Sequence, residues 1–166
     1  MSERRLALML SMLVLVLDQL SKIWIMRRFV PGDEQVITNW FSLVYARNSG
    51  AAFSLLANQA GWQRGFFMAV ALIASVVILW LLQRGQSSLL ARLGLGCILG
   101  GALGNLLDRV TLGYVVDFIW LHYGHFSWPA FNIADSAIDL GAGLLIWDSI
   151  RNRKSATARP HSGEQP

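Results

Sequence analysis

The chain of 166 residues is 54% hydrophobic and only 14% charged, against about 25% charged residues in a soluble globular domain, so its composition excludes an ordinary water-soluble fold and marks a membrane protein. Its net charge of +4 suits contact with anionic lipid head groups at least as well as with nucleic acid. A single cysteine, Cys97, excludes an internal disulfide, and its setting among Gly94, Gly96 and Gly100 points to packing. Apolar runs at residues 6–17, 66–82, 93–107 and 140–147 predict a mainly α membrane protein with four transmembrane helices and a small extracytoplasmic β-sheet. A spanning helix needs about 20 mostly apolar residues, so only the second run suffices nearly by itself. The other three carry polar residues into the membrane, and those polar residues are the candidates for function.

The first helix is expected over residues 6–26. Arg4 and Arg5 ahead of a short apolar stretch imitate a cleaved leader, but Asp18-Gln19-Leu20-Ser21-Lys22 follows where small residues of a cleavage site belong, so the helix is read as retained. Asp18 and Lys22 stand four residues apart, where an ion pair forms along one helix face; their expected role is structural. After a turn at residues 31–34, residues 36–46 are rich in aromatic and β-branched side chains and favour extended structure. Asn48-Ser49-Gly50 reads as a tight turn, and residues 57–64 as a short helix or loop on the membrane surface. Residues 66–82 cross inward, 83–88 turn, 89–110 cross outward, 111–129 lie outside, and 131–150 return.

With both termini inside, Arg4, Arg5, Arg84, Arg92, Arg151, Arg153, Lys154 and Arg159 face the cytoplasm, and Asp33, Glu34 and Asp117 fall outside with the remaining basic residues. Trp24, Trp62, Trp120 and Trp128 then mark the outer surface, and Trp80 and Trp147 the inner one. Residues 1–154 are expected to form one membrane domain with the outer sheet at about 35–56, and residues 155–166 a disordered cytoplasmic tail.

In the third helix Gly96, Gly100 and Gly104 leave a stripe without side chains that lets a neighbour approach closely. The adjoining stripe of Gly101, Asn105 and Arg109 carries an amide and a guanidinium, and suits substrate binding or structural hydrogen bonding. Asp108 and Arg109 are expected to neutralise each other locally. Asp117 follows the strand-like Tyr114-Val115-Val116, and Asp135 falls one or two turns into the fourth helix with Asn132 on its face. Different elements thus bring two acids to the outer edge of the bilayer. If the carboxyls meet, like-charge repulsion leaves one protonated and one ionised, a pair able to split water onto a carbonyl.

Other readings stay open on these residues. The two acids pair separately with Arg109, Lys22 or Arg47; or Asp18, Asp108, Asp135 and Asp139 form a proton relay in a carrier; or His122 and His125 begin a zinc site that lacks an evident third ligand. No nucleotide-binding or serine-nucleophile motif is present in the sequence.

Five blocks then become specific: Asp18-Gln-Leu-Ser-Lys22, Asn48-Ser-Gly-Ala-Ala-Phe53, Gly100-Gly-Ala-Leu-Gly-Asn-Leu-Leu-Asp-Arg109, Val115-Val-Asp-Phe118 and Phe131-Asn-Ile-Ala-Asp-Ser136. In this order they closely resemble the blocks of the lipoprotein signal peptidase (signal peptidase II) family and span nearly the whole chain. The resemblance implies an aspartic endopeptidase of the bacterial inner membrane with four spanning helices, a small β-cradle and its site at the periplasmic surface; a monomer with both termini cytoplasmic is expected. It implies removal of signal peptides from diacylglyceryl-modified prolipoproteins, with cleavage just before the lipidated cysteine. Asp117 and Asp135 match the family's catalytic acids. Asn48, Gly50, Asn105, Arg109 and Asn132 match positions around the substrate; Asp18, Lys22 and Asp108 are expected to be structural. Partners are the prolipoprotein, membrane lipid and inhibitors of the globomycin type; no cofactor, metal or nucleic acid is expected. Asp139 departs from the pattern, standing where the family usually holds an uncharged residue.

Overall fold

A computed structural model describes residues 3–50, 62–84 and 88–157, with side chains to residue 152. The elements in chain order are α1 (Glu3–Arg28), β1 (Glu34–Thr38), β2 (Phe41–Asn48), α2 (Trp62–Gln83), α3 (Leu89–Thr111), β3 (Val115–Tyr123), β4 (Phe126–Ser127) and α4 (Ile133–Thr157). The chain is mainly helical, with one small antiparallel sheet. Among the described residues three helices, α1, α2 and α3, are long and apolar enough to cross a membrane. The helix α4 is of similar length but carries Asp135, Asp139 and Asp148, and it is not among those three.

The helix at the centre is α3, with 56% of its span buried inside the protein against 28% for α1 and 17% for α2. Its glycines make that possible. A Cβ on Gly96 or Gly100 would lie 2.5 Å from the carbonyl oxygens of Ala7 or Ser11, so this stripe is what α1 packs against. On another face, a Cβ on Gly101 would strike the Ala134 carbonyl, so α4 approaches there. Ala7, Ile78, Leu82, Leu95 and Leu99 form the core cluster that joins α1, α2 and α3. The remaining surface is apolar and exposed, as at Met12, Ile73, Val76 and Ile146, and belongs against lipid.

The strands run in the order β1-β2-β3-β4. Residues 36–46 do not form one extended stretch: Asn39 and Trp40 turn the chain, and Thr38 pairs with Phe41 to close a hairpin. The sheet also reaches beyond residues 35–56, because β3 and β4 supply residues 115–127. It rests on the end of α1 through Ile25, Tyr45, Val116 and Phe118. The expected surface helix at 57–64 falls largely outside the described residues.

Two pairings of β3 position the site. Its register with β2 sets Ala46 opposite Asp117 and Asn48 opposite Val115. On its other side Ile119 bridges Phe131, with Ile119 N–H donating to Phe131 O at 2.9 Å and Phe131 N–H to Ile119 O at 3.0 Å. The chain entering α4 is thereby stitched to the strand that carries Asp117.

Candidate active site

Asp117 is 2% exposed. Its Oδ1 accepts from Asn132 Nδ2 at 2.7 Å, and its Oδ2 from Asn48 Nδ2 at 3.0 Å. Asp135 lies in the first turn of α4 rather than deeper, because α4 starts at Ile133. Its Oδ1 accepts from Asn105 Nδ2 at 2.7 Å, and its Oδ2 from the Asn132 N–H at 3.3 Å. In return the Asp135 N–H donates to Asn132 Oδ1 at 2.9 Å. This reciprocal pair is a capping box, which satisfies orphan donors at a helix start. Asn132 therefore touches both acids, Asp117 with its side chain and Asp135 with its main chain.

Each asparagine is held in one sense. Gly50, at φ +94, turns its N–H onto Asn48 Oδ1 at 2.9 Å, which leaves the Asn48 NH2 facing Asp117. The Asp135 N–H does the same for Asn132, and Lys22 Nζ, 3.0 Å from Asn105 Oδ1, does it for Asn105. Burial first, and next the charge of Asp135, push the Asp117 carboxyl up to about 7, against the downward pull of the Asn48 and Asn132 hydrogen bonds and of the Lys22 charge.

Asp18 and Lys22 form the expected pair at 2.8 Å, but Lys22 also pairs with Asp108 at 2.9 Å. The expected neutralisation of Asp108 by Arg109 is corrected by this geometry. Adjacent helical residues do not face one another, and Asp108 turns inward to Lys22 and to the Val116 N–H, 3.1 Å away. Arg109 donates from Nη1 to Asn105 O at 3.2 Å and lies over the Phe67 ring at 5.0 Å. Its Nε is buried with no hydrogen-bond partner among the described residues. Arg47 stacks on Tyr114 at 4.9 Å and does not pair with either acid.

The polar groups thus converge on Asp117 and Asp135 through amides rather than cations. Asp139 is exposed on α4, outside this network. His122 and His125 are not brought together for a ligand: His122 Nε2 lies 2.9 Å from Ser42 Oγ, while His125 is exposed. Sequence reasoning missed Gln19, whose Nε2 reaches Asp18 Oδ2, Gly104 O and Asp108 Oδ1 at 3.2, 3.2 and 2.9 Å. It also missed Phe67 and the contact of Asp18 Oδ1 with the Ala134 N–H at 2.9 Å. Gln19 sits inside a recognised block, but its distant partners leave no mark in the local pattern.

The family model for signal peptidase (SPase) II matches residues 10–151. The chain belongs to the signal peptidase II family. It is 47% identical over 154 residues to the lipoprotein signal peptidase of Polynucleobacter necessarius subsp. necessarius (strain STIR1), covering 93% of this chain and 94% of that one. To the lipoprotein signal peptidase of Ralstonia nicotianae (strain ATCC BAA-1114 / GMI1000) it is 49% identical over 86% of this chain and 82% of the relative. A solved bacterial membrane enzyme superposes with a TM-score of 0.78 at 28% identity, covering 96% of this chain and 94% of the other. Family membership makes the chain a signal peptidase, a protease of the bacterial membrane.

Proposed function

We propose that this signal peptidase II removes the signal peptide from diacylglyceryl-modified prolipoproteins, cutting before the lipidated cysteine, with Asp117 and Asp135 as an aspartic dyad. The observation that carries the reading is the shared Asn132, which holds the buried Asp117 carboxyl and the half-buried Asp135 carboxyl in one hydrogen-bonded cluster at the start of α4. In this reading α4 is the fourth spanning helix, both termini are cytoplasmic, and the sheet and dyad lie at the periplasmic surface of the inner membrane.

The pair carries one proton. In this reading Asp117, its carboxyl pushed up to about 7, is the acid, and Asp135, in the first turn of α4 where the helix dipole favours an anion, is the base. A water between them loses a proton to Asp135 as its oxygen attacks the scissile carbonyl carbon. Asp117 gives its proton to the carbonyl oxygen, forming a neutral gem-diol. Collapse breaks the C–N bond: Asp135 passes its proton to the leaving nitrogen, and Asp117 recovers one from the gem-diol hydroxyl.

The pair is restored.

Asn48, Asn105 and Asn132 keep both carboxyls in place through the cycle. Arg109, whose Nε has no partner among the described residues, supplies a donor for a substrate carbonyl or ester oxygen. The lipid on the cysteine fixes the depth of the scissile bond at the membrane surface. The substrate must be extended to expose that bond. Strand β1 pairs with β2 only over residues 41–44, so β2 at residues 46–48, beside Asp117, has no strand partner on that side among the described residues, and an extended substrate would pair there. Globomycin-type inhibitors are expected to occupy the same site.

The test is mass spectrometry of products from a diacylated precursor in H2-18O under single-turnover conditions. Release of a signal peptide carrying one 18O in its new carboxylate, with the lipidated cysteine at the other product's N-terminus, is expected. A cut elsewhere rejects the cleavage position. A first-turnover product without 18O rejects direct attack by water.

A further inference from the structure

Lys22 is 1% exposed, and its ammonium has three N–H groups to place. Two meet carboxylates: Asp18 Oδ2 at 2.8 Å on its own helix and Asp108 Oδ2 at 2.9 Å on α3. Those carboxylates tie elements together, Asp18 Oδ1 by accepting from Ala134 N–H on α4 and Asp108 Oδ2 from Val116 N–H on β3. A staple between helices is complete with these contacts. The third N–H does something a staple does not require: it goes to Asn105 Oδ1 at 3.0 Å, and the same amide donates from Nδ2 to Asp135 Oδ1 at 2.7 Å.

An asparagine amide turned by half a rotation exchanges donor for acceptor. An ammonium has no lone pair, so Asn105 can present only its oxygen to Lys22 and therefore only its NH2 to Asp135. Asn132 Nδ2, 3.3 Å from Asn105 Oδ1, makes the same demand more weakly. The other two amides of the cluster take their sense from backbone N–H groups, of Gly50 and Asp135. Asn105 alone depends on a side-chain charge.

We propose that Lys22 is a positioning residue for the acid pair, its third N–H fixing the Asn105 amide so that it donates to Asp135. This inference rests on the aspartic reading above and extends it from α4 and β3 to α1. The charge acts on the pair as well. Asp135 from α4, Arg109 from α3 and Lys22 from α1 act on Asp117, with Asp18 and Asp108 paired to Lys22, and Lys22 pulls the Asp117 carboxyl down. Removing the cation lets the Asp117 carboxyl rise further, so the alkaline limb of the rate profile, where that proton is lost, moves to higher pH.

The experiment measures kcat, KM and the pH–rate profile on a diacylated precursor for wild type and Lys22→Met in detergent, per folded molecule. Since Lys22→Met leaves two buried carboxylates facing each other and can fail to fold, the charge-balanced Asp18→Asn/Lys22→Met double variant is measured against Asp18→Asn alone. The expected result is a loss of kcat of about 10–100-fold, as misplacement of a catalytic group produces, with KM little changed and the alkaline limb displaced upward. Addition of Asn105→Ala to the Lys22→Met background should cost little more, because both changes remove one link. An unchanged kcat and an unchanged profile per folded molecule, with only a lowered Tm, overturn the proposal and leave Lys22 a staple. Failure of both Lys22 variants to fold while Asp18→Asn folds overturns it too, since the lysine then serves the fold first. The aspartic reading fails separately, through retained turnover in Asp117→Asn or Asp135→Asn.

Discussion

Replacing Asp117 by asparagine should change the protein's stability relative to wild type by an amount that depends on pH, in favour of the variant as pH rises. The folded carboxyl has been raised from 3.8 to about 7, so the folded state binds this proton more tightly than the unfolded chain. The stability that proton contributes is fully present below the unfolded value near 3.8 and is lost as pH rises through about 7. Between pH 5 and pH 8 the linkage relation gives a loss of about 2.6 kcal/mol for wild type, and solvent relaxation brings the expected range to about 1–3 kcal/mol. An asparagine at this position resembles the protonated acid, with one acceptor oxygen and a donor where the hydroxyl was, and it does not titrate. It also turns a donor toward the fixed NH2 of Asn48 or Asn132, a cost of about 1–3 kcal/mol that is the same at every pH. The informative quantity is therefore the change with pH in the Tm difference between variant and wild type. For a chain of this size about 1 kcal/mol moves Tm by roughly 2–4 °C, so the variant should gain about 3–10 °C on wild type between pH 5 and pH 8, by thermal unfolding in mild detergent. A difference independent of pH, or one that shrinks as pH rises, refutes the burial and charge argument for Asp117.

Three further substitutions probe the same geometry. Asn48→Ala removes a hydrogen bond that pulls the Asp117 carboxyl down, so the alkaline limb of its pH–rate profile should move above that of wild type; a downward move contradicts the assignment. Gly50→Ala places a Cβ 2.7 Å from the Phe67 ring on a backbone at φ +94, and it should cost kcat about 10–100-fold through misaimed Asn48, with wild-type kcat as the contrary result. Asp139→Asn alters an exposed group and should leave kcat within about twofold of wild type; complete loss would bring Asp139 into the chemistry.

Much of this arrangement can be read from residue order, and the remainder depends on contacts without a local signature. Apolar runs mark α1, α2 and α3 because lipid demands them, and the Gly96 and Gly100 stripe announces the close approach of α1. The hairpin at Asn39 and Trp40 escaped because one asparagine in an aromatic and β-branched run is a weak turn signal. The second half of the sheet escaped for another reason: Asn48 pairs with Val115 across two helices, and register over such a span follows from packing. The same holds at the site. Asp117, Asp135 and their three asparagines were identifiable from sequence blocks, whereas the partner of Asp108 was not, since Arg109 beside it in sequence is turned away and Lys22 on another helix is close. The sense of each amide is fixed only by what faces its oxygen in three dimensions.

Cleavage of a diacylated precursor by purified Asp117→Asn and Asp135→Asn, with folding verified by Tm, bears most directly on the dyad. Each variant is expected to lose turnover to the background of the uncatalysed reaction, because one carboxyl cannot both take the proton of water and supply one to the carbonyl. Substantial cleavage by either folded variant contradicts the account.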